Sequence, residues 1–235
     1  MIQSNAASVA ASPPSIPNPH AQPVLERPWT DLTANVPGAA ARAQARALRD
    51  AAPIRTFFAR LVNLRTRERA WRIGADGEER VGAELAKLVK FDPRWRVLHA
   101  VPVGNAGADI DHLVIGPGGI FTLNTKHHPG AALWVGGDTF MVNGQRQPYV
   151  RKSRYEAGRA ARLLMAASGN PLRVDEILVP VGARSLTIKT APADVAVVPR
   201  RQLTAWLLGW GSVLDERTLT IVSEVARRST TWQSR

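Results

Sequence analysis

The 235-residue chain contains no cysteine, which excludes disulfides, thiolate zinc sites and thiol nucleophiles. Histidine is scarce too, with five residues, so a metal site would have to rest on His or carboxylate ligation, and a hard, oxygen-bound ion is expected. Negative charge is in short supply: 19 Asp and Glu stand against 31 Lys and Arg, a formal net charge of +12. A surface of that balance attracts polyanions. Nucleic acid is the expected partner, with an anionic membrane surface as the peripheral alternative. No apolar run approaches membrane-spanning length. The first residues lack the basic segment of a secretory signal, and the alanines after them are interrupted by Pro13, Pro14, Pro17 and Pro19, so a cytoplasmic location is expected.

Hydrophobic residues make up 45% of the chain, enough for one well-buried core with extensions. Residues 1–37 are mainly Ala, Ser, Pro and Asn, a composition that cannot offset its ordering entropy and predicts a disordered tail. Residues 38–70 interleave arginines such as Arg42, Arg46 and Arg49 with alanines, then with Phe57, Phe58, Leu61 and Leu64. Interrupted at Pro53, this reads as a basic helical extension, either solvated or contacting an anionic partner. The compact domain is expected over 71–208, with residues 209–235 adding a terminal helix that packs on it.

Within that domain Val81, Leu85, Leu88 and Val89 recur at helical spacing, predicting a helix over 77–90 with Glu78 and Glu79 near its start. Three strand-like runs follow at 96–103, 109–115 and 119–126. The turns Gly104-Asn105-Ala106-Gly107 and Gly116-Pro117-Gly118-Gly119 join them, and such short links imply antiparallel neighbours. A hairpin over 134–147, a basic helix over 149–167, short apolar strands at 177–181 and 195–198, and helices at 202–208 and 215–228 complete the pattern. The order is helix, three strands, helix, strand, with additions: an α/β (α+β) architecture.

On a strand, residues two apart share a face, so Asn124 and Lys126 project together. Asp109 and Asp111 form a second such pair one hairpin away. A carboxylate, an amide oxygen and an ammonium then meet at one end of the sheet. That set suits metal-assisted phosphodiester hydrolysis, in which carboxylates hold a divalent ion that acidifies its water while lysine offsets charge growing on the phosphate. His112, His127 and His128 do not complete a zinc shell. The Gly-rich stretches lack P-loop and dinucleotide spacing, and read as turns.

Three motifs, Gly74-Ala75-Asp76-Gly77-Glu78, Ala108-Asp109-Ile110-Asp111-His112 and Gly118-Gly119-Ile120-Phe121-Thr122-Leu123-Asn124-Thr125-Lys126, resemble the NERD (nuclease-related) domain of the PD-(D/E)xK nuclease superfamily. The resemblance implies a restriction-endonuclease-like core with a mixed β-sheet flanked by helices, and magnesium- or manganese-dependent cutting of nucleic acid, DNA foremost. It makes Asp111 the principal metal ligand, Glu78 a helix carboxylate at the site, Lys126 the catalytic lysine and Asn124 the occupant of the second acidic position. There the chain departs from the family, which commonly has an acid two residues before the lysine. The superfamily's glutamine on the following helix has no obvious counterpart near Arg151 and Lys152. Two functions are therefore open: a metal-dependent nuclease, or a nucleic-acid-binding domain that has lost metal and catalysis.

Overall fold

The computed structural model describes residues 28–50, 67–104 and 108–233. Its architecture is α/β: two mixed sheets flanked by helices. The first helix, α1 (Ala39–Asp50), lies along the long α2 (Arg67–Phe91). Strands β1 (Arg96–Val103), β2 (Ala108–Gly116) and β3 (Gly119–His127) then form an antiparallel meander. A smaller sheet follows with β4 (Ala132–Gly136), β5 (Thr139–Val142) and β6 (Gln145–Gln147), and α3 (Tyr149–Ser168) leads back to the main sheet. There β7 (Asp175–Val181) lies parallel to β3, and β9 (Val195–Val197) parallel to β7. Between these two strands, β8 (Ser185–Thr190) joins the smaller sheet parallel to β4. The chain ends on α4 (Leu203–Leu208) and α5 (Glu216–Ala226). The helix, three strands, helix, strand order expected from periodicity is present, and the 134–147 hairpin is part of a four-stranded sheet.

Each face of the main sheet buries its own apolar layer. Val81, Leu85 and Leu88 of α2 and Leu203 and Leu207 of α4 pack on Val114, Phe121, Leu123, Ile177 and Val179. On the other face Ala160 and Leu164 of α3, Leu219 and Val222 of α5, and Trp232 cover Leu98, Val101, Leu113, Ile115 and Ile120. Full burial of each such side chain stabilises by roughly 1.5–3 kcal/mol, so this double layer carries the fold.

Three expectations change. The helix expected over 77–90 begins at Arg67, so Glu78 sits well inside α2 and is no helix-start charge serving the dipole. The disordered tail was expected through residue 37. Residues 1–27 lie outside the described residues, but 28–37 run against the core. Leu32 is only 3% exposed, its N–H donates to Arg227 O at 2.8 Å, and Asp31 pairs with the Arg227 guanidinium. One anchored leucine and paired backbone offset the ordering entropy of this short segment. In the basic extension, α1 is docked on α2 through buried Ala41 and Ala45 and through Arg42, which pairs with Asp76 at 3.1 Å and Glu79 at 2.5 Å. Pro53 and the Phe57 to Leu64 stretch lie outside the described residues.

Gly77 lets α2 approach the functional end of β3. A Cβ there would stand 2.6 Å from the His127 Cβ and 3.1 Å from the Thr125 Cγ2, too close for any side chain. Gly77→Val is therefore expected to lower unfolding free energy by about 1–3 kcal/mol, read as a lower urea midpoint with an unchanged m-value.

Candidate active site

The site is built where the meander loses its regularity. The β1–β2 ladder runs from Arg96↔Ile115 to Val103↔Ala108, lacking a pair only at Ala100, which stands across from Asp111. Ala100 has φ +45°, the left-handed region that L-residues other than glycine rarely enter. The Asn35 side-chain amide holds it there, donating to His99 O at 3.1 Å and Ala100 O at 3.0 Å. Side-chain alternation slips by one residue at this point. Leu98 shares a core cluster with Val101 and Val103, as Ile110 does with Leu113 and Ile115. Strict alternation would send Leu98 and Ile110 to opposite faces from those partners.

The β2–β3 pairing stops at His112↔Leu123. Two residues further along β3, the Thr125 N–H donates to Asp111 Oδ2 at 2.6 Å. The Asp111 carboxylate thus stands at the split between the strands, while β3 continues beside β7 through Asn124↔Leu178 and Lys126↔Pro180. Burial pushes Asp111 up, with nearby Asp109 adding to the shift and Lys126 and the Thr125 amide opposing it, to about 6.

Asn124 bridges an ammonium and a carboxyl group. Its Oδ1 accepts from the Lys126 ammonium, and its Nδ2 donates to Glu156 Oε2 at 3.2 Å. Lys126 also donates to Thr125 O at 3.3 Å and lies 4.9 Å from the Tyr149 ring centroid, a cation–π contact. Tyr149 is stacked on His128 and hydrogen-bonded to its Nε2 at 3.0 Å. Lys126 forms no ion pair with Asp111.

Glu78 reaches the cleft from α2, its Oε2 accepting from Gly38 N at 3.2 Å. Burial, with repulsion from Asp111 and Asp109, pushes it up to about 8. Asp109 is raised by burial. Glu156, from α3, is likewise pushed up to about 8 by burial and by the same two aspartates. Its Oε1 is buried without a hydrogen-bond partner. Deeper still, Glu176 is 2% exposed, accepts from the Thr122 hydroxyl, and is raised well above the usual range by burial and by Glu156. Among the described residues, no three His, Asp or Glu side chains stand close enough, as positioned, to enclose a metal ion.

Asp111, Asn124, Lys126 and Glu78 therefore share one electrostatic neighbourhood. His99, His112 and His127 are engaged elsewhere. His99 and His112 bond through their Nδ1 atoms at 2.8 Å, and His127 Nδ1 meets Ile73 O at 2.5 Å. Sequence reasoning missed Glu156 and Glu176. The signal for Glu156 was compositional: it is the sole acid on a helix carrying Arg151, Lys152, Arg154, Arg159 and Arg162. Glu176 was the second of two acids, after Asp175, at the start of an apolar strand.

This arrangement is a cleft of carboxyl groups beside one lysine, framed by an α/β fold. Residues 73–180 match the family model of the nuclease-related domain, NERD. The resemblance carried by the three sequence motifs is borne out over that stretch, which contains Glu78, Asp109, Asp111, Asn124, Lys126, Glu156 and Glu176. No curated protein and no solved structure matches the chain.

Glu176 sets a pH dependence. The unfolded chain releases this proton near pH 4.5, whereas the folded chain retains it to a much higher pH. The folded state thus binds more protons above pH 4.5, and stability falls as pH rises, by up to about 1.4 kcal/mol per pH unit. Glu176→Gln should be stabilised at pH 8 relative to wild type and show a shallower decline between pH 5 and 8 in chemical denaturation.

Proposed function

We propose that this protein is a magnesium- or manganese-dependent nuclease hydrolysing nucleic-acid phosphodiesters, with DNA the first substrate to test. One observation carries the reading: the Asp111 carboxylate is held by the Thr125 amide at the mouth of the β2–β3 split, among further acids and beside Lys126.

The donor chemistry fits a hard divalent cation. Glu78, Asp109, Asp111 and Glu156 are oxygen donors whose burial and mutual repulsion disfavour their charged forms, and a dication relieves both penalties. In a chain of net charge +12, such an acidic cleft would otherwise repel the polyanion that the rest of the surface attracts. Asp111 and Glu78 would hold the ion, and Asn124 would join them by sharing the carbonyl oxygen that accepts from Lys126. When bound, it would acidify a water and polarise a phosphate oxygen.

The chain's own groups account for the remaining work. The Lys126 ammonium, kept over Tyr149 and oriented by Asn124, offsets charge developing on the attacked phosphate. His128 fixes the Tyr149 hydroxyl and so the ring beneath the ammonium. The exposed Arg151 and Lys152, at the start of α3, attract the phosphate backbone without reading its sequence.

Cleavage of labelled DNA and RNA with magnesium or manganese tests the reading. Wild type should cut, Asp111→Ala should abolish cutting, and Lys126→Met should slow it by roughly 10²–10³. The second function, a binding domain without catalysis, is favoured by the missing acid at Asn124. Salt-dependent nucleic-acid binding, with no cleavage by wild type and no effect of Lys126→Met on any residual signal, would establish it and overturn the nuclease.

A further inference from the structure

We propose that Glu156 of α3 supplies the metal-binding carboxylate that β3 lacks at Asn124, so that the second acidic ligand comes from the helix. This rests on the nuclease reading and assigns a residue to it that the sequence motifs do not include.

The geometry links the two residues. Asn124 Nδ2 donates to Glu156 Oε2 at 3.2 Å, while Asn124 Oδ1 receives the Lys126 ammonium. An amide can face an ammonium with its oxygen and a carboxylate with its nitrogen at once. An aspartate at 124 could satisfy only the lysine, and would set a second carboxylate against Glu156. Asn124 is therefore the side chain suited to this place because an acid already stands opposite. Where the family commonly carries an acid on the strand this chain has an amide, and the helix sets a carboxyl group against it.

Glu156 is also poised to bind something further. Its Oε2 is occupied by Asn124, but Oε1 is buried with no hydrogen-bond partner. A buried carboxyl oxygen without a partner is costly, and Lys126, whose charge favours the ionised form of Glu156, directs its ammonium to Asn124 and not to that oxygen. Asp111 and Asp109 lie near enough to repel Glu156. An oxygen-seeking cation between Asp111 and Glu156 would satisfy Oε1 and remove that repulsion. The rest of α3 is basic, with Glu156 its only acid, so no other carboxylate on the helix could take this role.

The test is calorimetric titration of the full chain with manganese chloride, which reads affinity without requiring turnover, backed by thermal melts with and without the metal. Four proteins are compared: wild type, Glu156→Gln, Asn124→Asp, and the double variant Asn124→Asp with Glu156→Gln. Wild type should bind. Glu156→Gln should bind on the order of 10–100-fold more weakly, lose the metal-induced rise in melting temperature, and melt no lower than wild type in metal-free buffer. The double variant, with the acid returned to the strand and the amide moved to the helix, should recover binding, a coupling that independent residues would not show. Equal affinity of wild type and Glu156→Gln overturns the proposal, as does a double variant no tighter than Glu156→Gln. If wild type binds no manganese, the nuclease reading falls first and this proposal with it; binding by wild type that is lost in Asp111→Ala but kept in Glu156→Gln refutes the role of Glu156 alone.

Discussion

The hydrogen bond from the Thr125 amide to Asp111 marks the point on which the site depends. In a regular antiparallel ladder, that amide would face a backbone carbonyl of β2. Here the β2–β3 pairing has already ended at His112, and a side-chain carboxylate takes the carbonyl's place. The exchange releases β3 to continue along β7 and opens the sheet between two strands. A carboxylate anchored by a backbone amide at a fork of strands is held on rigid elements, as precise positioning requires. The cross-strand irregularity at Ala100 belongs to the same feature. A left-handed alanine costs roughly 1–2 kcal/mol, and the Asn35 amide, with two carbonyls to donate to, offsets part of that cost. Asn35 lies in the segment anchored by Leu32 and Gly82 gives that segment room: a Cβ at Gly82 would meet Pro37 at 2.7 Å. The irregular strand is thus supported from outside the sheet.

The second constraint is electrostatic. Five carboxyl groups, Glu78, Asp109, Asp111, Glu156 and Glu176, are all raised by burial, and repulsion adds to the shift for all but Asp109. A fold selected for stability alone would replace several of them by apolar side chains of similar volume. Strained backbone and clustered like charges at one location are characteristic of functional sites, where surrounding structure sustains what local energetics disfavour. That surrounding structure is the apolar layer on each face of the sheet, together with the α2–β3 approach at Gly77.

Much of this was legible in the sequence. The Gly116 to Gly119 turn fixes the β2–β3 hairpin, and period-two alternation puts Asn124 and Lys126 on one face of β3. The extent of α2 was not legible, because Gly74 and Gly77 resemble a helix breaker; only the three-dimensional approach of His127 explains Gly77. Nor was β8, an exposed strand with Leu186 and Ile188 as its only large apolar residues, which gains its place by pairing with β4. The packing of residues 28–37 escaped composition because one leucine decides it. Ala100 carries no signal of a positive φ, since the group that holds it is an asparagine 65 residues earlier. Glu156 was visible as the sole acid of its helix and Glu176 as one of two acids heading an apolar strand, but their convergence on Asp111 depends on how α3 and β7 return to β3.

The contrast between a chain of net charge +12 and its acidic cleft ties these levels together. A uniformly basic surface would bind phosphates indiscriminately and activate none. A cleft of buried acids alone would exclude them. On the proposed reading, combining the two would let a polyanion approach most readily where a cation has neutralised the carboxylates, so that binding of the one would favour binding of the other through charge alone. For such a cation the secondary-structure origin of each oxygen is immaterial; what counts is the number of carboxylates and their freedom from other partners. Lys126 turns toward Asn124, Asp111 has no ion pair among the described residues, and Asn124 engages only one oxygen of Glu156. The amide at position 124 thereby takes the Lys126 ammonium as a hydrogen-bond donor, while the lysine's charge still favours the ionised forms of Asp111, Glu78 and Glu156.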